Sequence, residues 1–91
     1  MNEERPRGAT GGLGDDVVVD ARALRCPLPV VELARAARAL PTGAVVAVWW
    51  TDPAAEHDIP AWARMRGHEV VGTGPHPEDD AAHVTTIRIG G

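Results

Sequence analysis

The sequence contains no lysine; all nine of its basic residues are arginine. Schiff-base chemistry on a lysine amine is therefore closed to it. Phenylalanine and tyrosine are also missing, which leaves Trp49, Trp50 and Trp62 as the aromatic residues. A base-stacking platform needs several rings on one surface, so a nucleic-acid partner is not expected. The net charge of −4 argues the same way, because a grip on phosphates needs a positive face. Cysteine occurs once, at Cys26. One thiol excludes an internal disulfide, a Cys-x-x-Cys redox pair and a zinc site built on several cysteines, so no metal is expected. A free thiol suits a reducing compartment. No apolar run reaches transmembrane length, and the first residues lack the apolar stretch of a signal peptide. These absences together predict a cytoplasmic protein without a membrane partner.

What is present fills one small domain. Residues 1–15 are rich in Gly, Arg and Glu and read as a disordered tail, leaving 16–91 as the folded domain. Val17-Val18-Val19 predicts a first strand. Pro27 fits the opening position of a helix, where a missing N–H costs nothing. Behind it, Val30, Leu33, Ala34, Ala37 and Leu40 form one apolar stripe, and Pro41-Thr42-Gly43 ends the helix. Val45–Trp50 is apolar without alternation and predicts a covered strand. A one-turn segment near 53–57 and a short helix at about 59–66 follow, with Asp52 and Asp58 read as caps and Gly67 as the stop. Glu69–Thr73 is a third strand, Gly74–Asp80 a loop, and His83–Ile89 an alternating, half-buried fourth strand. The order β-α-β-α-β-β implies a two-layer α/β (α+β) sandwich, with a small mixed sheet carrying both helices on one face.

Cys26 sits in Leu24-Arg25-Cys26-Pro27-Leu28-Pro29, at the junction of a loop and a helix. It lies outside the apolar stripe, so it is read as a functional thiol rather than a buried hydrophobe. Unpaired N–H groups and the dipole at a helix start favour a thiolate. The effect is modest, lowering a thiol pKa by roughly 0.2–1.5. Arg22 and Arg25 are expected to add positive potential. His57, His68, His76 and His83 are scattered and give no base fixed by a motif; His57 is the nearest to a helix start. A thiol without base or cleft is suited to carrying a group, which needs exposure and docking surfaces. Asp20 is placed to orient the Cys26 loop through a side-chain to backbone hydrogen bond. Trp49 and Trp50 are adjacent on one strand and point to opposite faces. Each is a candidate for partner docking, because tryptophan is enriched at interfaces.

The run Asp20-Ala21-Arg22-Ala23-Leu24-Arg25-Cys26-Pro27-Leu28-Pro29 resembles the Cys-Pro-x-Pro signature of the TusA (SirA-like) sulfur-carrier family. The likeness continues through Leu40-Pro41-Thr42-Gly43, Thr51-Asp52-Pro53-Ala54, Asp58-Ile59-Pro60 and Ile87-Arg88-Ile89-Gly90-Gly91. It implies a four-stranded mixed sheet. It also implies a persulfide on Cys26, with no separate cofactor, in a carrier rather than a stand-alone enzyme. Sulfane sulfur would come from a donor protein of the cysteine desulfurase or rhodanese type and pass to an acceptor protein. Arg25, Pro27, Pro29 and Asp20 would support the site. Ala63 stands where some members have a second cysteine, and Ile89 where a lysine occurs. Two readings of another class stay open: a non-catalytic interaction module, and a thiol redox sensor. Gly90-Gly91 also matches the end of ubiquitin-like sulfur carriers, although their ββαββ-type order differs from the one read here.

Overall fold

The structure, a computed structural model, describes residues 17–90. The expected tail at 1–15 lies outside them. Six elements follow in the order β1 (Val17–Ala21), α1 (Leu28–Arg38), β2 (Val45–Trp50), α2 (Ala55–Met65), β3 (Glu69–His76) and β4 (Asp79–Arg88). The strands form one sheet in the order β1-β2-β4-β3. β1 pairs parallel to β2, whereas β4 runs antiparallel to both β2 and β3. This is the mixed sheet and element order that the sequence predicts.

The apolar stripe of α1 is where the periodicity places it. Leu33 is fully buried, and Val30, Ala34, Ala37 and Leu40 pack against the core around it. On α2, Ala55, Ile59, Trp62 and Ala63 are buried at positions i, i+4, i+7 and i+8. Together the stripes share one core with Val46, Val48, Trp50 and Ile87 from the sheet, α1 packing over β1 and β2 and α2 over β3 and β4. The other face of the sheet carries no helix and shows Val18 and Trp49 to solvent.

Three expected boundaries are corrected. The segment near 53–57 and the helix at 59–66 are one continuous helix, with Pro60 inside it. A proline inside a helix removes one hydrogen bond and costs about 3 kcal/mol or more. The four-residue stripe that begins at Ala55 supplies enough burial to carry the helix across that gap. Asp58 is therefore in the first turn of α2 and does not cap it. Third, most of the Gly74–Asp80 loop is strand, because β3 runs to His76 and β4 starts at Asp79. Pro75 is tolerated there because β3 is an edge strand.

Gly67 ends α2 at φ +77, the left-handed conformation that glycine adopts without steric penalty. Beside it, Gly90 passes so close that a Cβ would run into the Gly67 carbonyl. The Gly90 N–H donates to His68 Nδ1 at 2.9 Å. The first of the two terminal glycines is thus bound to the fold, and Gly91 lies outside the described residues.

One polar chain crosses the core. Trp50 Nε1 donates to Thr85 Oγ1 at 2.9 Å, and Thr85 Oγ1 shares a hydrogen bond with Thr73 Oγ1 at 3.1 Å. Thr85 is 1 % exposed, so losing its hydroxyl leaves the indole N–H buried without its partner. Thr85→Val, which keeps the shape, is expected to cost about 1–3 kcal/mol in urea denaturation.

Candidate functional site

β1 and β2 run parallel, so the chain leaves both at the same edge of the sheet. The loop after β1 carries Cys26, and the segment after β2 carries Asp52. The two are joined directly: the Cys26 backbone N–H donates to Asp52 Oδ2 at 2.9 Å. Asp52 Oδ1 accepts the Ala54 N–H at 3.0 Å, so the same carboxylate also shapes the approach to α2. Ala23 N–H donates to Thr51 Oγ1 at 2.9 Å and adds a second tie between the segments.

Asp20 makes a side-chain to backbone hydrogen bond within the loop. Its carboxylate accepts the Arg22 backbone N–H at 3.2 Å and the Arg22 side chain at 2.8 Å through both Nε and Nη2. Arg22 also reaches Asp79 at 3.2 Å and lies over the Trp49 ring. Its guanidinium holds Asp20 below the usual carboxylate range. Arg22 is thus engaged by two carboxylates, and the potential expected from it at the thiol is spent on them.

Cys26 is half-buried and free, and its side chain packs against the core together with Leu24. Pro29 is buried, whereas Pro27 and Arg25 are exposed. Burial and neighbouring carboxylates oppose the activation expected from the helix start. Burial first, then the neighbouring carboxylates of Asp58 and Asp52, pushes the thiol up to about 11. The helix does not compensate, because its first-turn donors are already used. Leu28 N–H bonds to Arg25 O, and both Val30 and Val31 N–H bond to Pro27 O. Pro27 and Pro29 have no N–H to offer. The sequence pattern favours caps for Asp52 and Asp58 over the alternative of carboxylates lining the thiol site, and the structure sets both close to the thiol's seat. The Asp-x-Pro spacing at 58–60 signalled a helix start and hid that placement.

The tryptophans point to opposite faces, as the strand requires. Trp50 is 3 % exposed, with its ring stacked on His83, and is a core residue without a surface for docking. Trp49 is half-buried between Arg22 and His76, whose ring meets it edge-on at 4.5 Å. The structure does not bring His57 to the thiol. Among the described residues, the charged groups that act on Cys26 are Asp58 and Asp52. No group of histidine, cysteine and carboxylate side chains among the described residues could hold a metal ion. No helix among them is long and apolar enough to cross a membrane.

A sequence model of the family described as Sulfurtransferase TusA matches residues 17–89, the whole of the fold just described. The chain belongs to the TusA family. It is 42 % identical over 57 residues to the "Sulfur carrier protein TusA" of Pseudomonas entomophila, covering 63 % of this chain and 71 % of that one. It is 39 % identical over 87 residues to the "Putative sulfur carrier protein YrkF" of Bacillus subtilis. That match takes in 80 % of this chain but 47 % of YrkF, so the chain spans about half the length of that relative. The crystal structure of the SirA-like protein from Desulfitobacterium hafniense shares the fold, with a TM-score of 0.67 at 24 % identity. The superposition covers 82 % of this chain and 99 % of that one.

Two outcomes follow for this TusA-family site. Ala23 adopts φ +68 in the thiol loop, a left-handed conformation that costs a residue with a Cβ about 1–2 kcal/mol. Ala23→Gly is expected to raise the melting temperature by a few degrees, since glycine's own backbone entropy offsets part of the gain. The second concerns alkaline pH. The unfolded thiol ionises near 9.0, and the folded thiol only near 11. Between these values the unfolded state loses its proton first, so stability falls as pH rises through that window. Cys26→Ser is expected to flatten that decline when denaturation midpoints are compared across it.

Proposed function

We propose that this protein is a sulfur carrier that holds sulfane sulfur as a persulfide on Cys26. The observation that carries the reading is the seat of the one thiol. It stands half-buried on a loop pinned through its own backbone N–H to Asp52, within a chain of the TusA family. The loop fixes where the sulfur stands, and no histidine among the described residues acts on it to drive bond cleavage. In this reading a donor protein of the cysteine desulfurase or rhodanese type loads Cys26, and an acceptor protein unloads it, in the cytoplasm. Leu28 and Val31, exposed on the first turns of α1 beyond the thiol, offer such partners an apolar landing. Ala63 is buried in the core, in keeping with a role that uses one thiol.

The test is intact mass after incubation with a cysteine desulfurase and cysteine, or with a rhodanese and thiosulfate. The expected result is the added mass of one sulfur atom, lost on reduction and absent in Cys26→Ser. Failure to label with competent donors of both types would overturn the reading.

A further inference from the structure

Arg22 stands in the loop between β1 and α1, on the approach to Cys26. Every nitrogen of its guanidinium is committed. Nε and Nη2 donate to Asp20 Oδ1 and Oδ2, each at 2.8 Å, and Nη1 donates to Asp79 Oδ2 at 3.2 Å. Its guanidinium carbon lies 4.8 Å from the centroid of the Trp49 ring, and that ring is held in turn by His76 at 4.5 Å. One side chain therefore joins the thiol loop to β1, β2 and the first residue of β4. Asp79 is a firm anchor, since its other oxygen accepts the Ala81 N–H at 3.0 Å.

The loop beyond Arg22 has little slack. The Arg22 N–H donates to Asp20, the Ala23 N–H to Thr51, the Leu24 N–H to the Ala21 carbonyl and the Cys26 N–H to Asp52. Between these ties Ala23 is held at φ +68. A residue with a Cβ stays in that conformation only where its flanks impose it. Asp52 fixes the flank at Cys26, and Arg22 fixes the other. The ion pairs of Arg22 are partly exposed, so they add little to global stability. What they supply is orientation, because a planar fork grips a carboxylate at two points where an ammonium holds only one.

We infer that Arg22 is a positioning residue for Cys26, clasping the thiol loop to the sheet through its fork to Asp20, its reach to Asp79 and its seat over Trp49. Its consequence for transfer rests on the sulfur-carrier reading. In that transfer the Cys26 sulfur loses its proton to solvent and attacks the outer sulfur of the donor's persulfide. The donor's sulfur–sulfur bond breaks, and its electron pair stays on the donor cysteine, which takes up a proton. A sulfane sulfur changes hosts with no net oxidation. Such an attack needs the incoming sulfur aligned with the bond that breaks, so a loosened loop slows it.

The experiment compares Arg22→Lys, Arg22→Gln and Asp79→Asn in the full chain. Hydrogen exchange followed by NMR should show the Ala23 and Cys26 amides losing protection in all three, while amides of β2 and α2 keep theirs. In loading from a cysteine desulfurase, both Arg22 variants should lower kcat about tenfold or more with KM unchanged. Asp79→Asn should do the same to a smaller extent. Arg88→Lys, which alters the exposed Arg88–Glu69 pair at the opposite end of the sheet, should leave both readouts alone. Rescue by Arg22→Lys, a rise in KM with kcat held, or an equal loss in Arg88→Lys overturns the inference, since each would mean a charge acting on the donor or a general loss of stability. Unchanged protection of the Cys26 amide overturns it whatever the rates. If Arg22→Gln fails to fold, Arg22→Lys and Asp79→Asn decide by the same criteria. If no donor loads even the wild-type chain, the carrier reading fails while the exchange data still decide whether Arg22 positions the loop.

Discussion

The parallel pairing of β1 with β2 is the constraint on which the site depends. It sends two separate stretches of chain out of the same sheet edge, in register from Val17 with Val46 to Ala21 with Trp50. Everything chemical is assembled at that edge. Cys26 follows β1 and Asp52 follows β2, and the 2.9 Å bond from one backbone to the other side chain closes the gap. The helices then cover one face and leave the thiol loop at the rim. A small core suffices, because Leu33, Ile59 and Trp62 join both helices to one cluster, the first helix over β1 and β2 and the second over β3 and β4.

The electrostatic character of the thiol comes from a competition decided by geometry. A helix start attracts negative charge only through donors that remain free. Here Pro27, which stands at the N-cap and not at the first helical position expected for it, and Pro29 in the first turn have no N–H to offer, and backbone carbonyls take the rest. Burial and two carboxylates therefore meet little opposition from α1. The prolines that make the motif conspicuous are part of why the helix start fails to activate its cysteine.

That reversal also explains what the sequence could and could not reveal. Periodicity is a local property, so the stripes of α1 and β4 and the opposed faces of Trp49 and Trp50 were legible. Gly67 as the end of α2 was legible for the same reason. The single form of α2 was less so, since Pro60 carries a strong local stop signal. The counter-signal was the burial of Ala55 in register with Ile59 and Trp62, and a lone alanine is a faint mark of a core position. The extension of β3 past Gly74 depended on its being an edge strand, which is a property of the whole sheet. The convergence of Asp52 and Asp58 on Cys26 is longer-range still. Their caps-and-turns spacing explained them adequately in isolation, and only the β1–β2 pairing brings them to the thiol.

A suppressed thiol suits a carrier better than an activated one would. An enzyme that cuts bonds needs its nucleophile poised before substrate arrives, because the chemistry is its own. On the proposed reading a carrier presents one sulfur atom in a fixed place and hands it on to a partner. Reactivity in the free state would expose that sulfur to every passing electrophile. The fixed loop and the raised thiol belong to one arrangement. Asp52 holds the position of Cys26 through the backbone, while burial holds its side chain toward the neutral form.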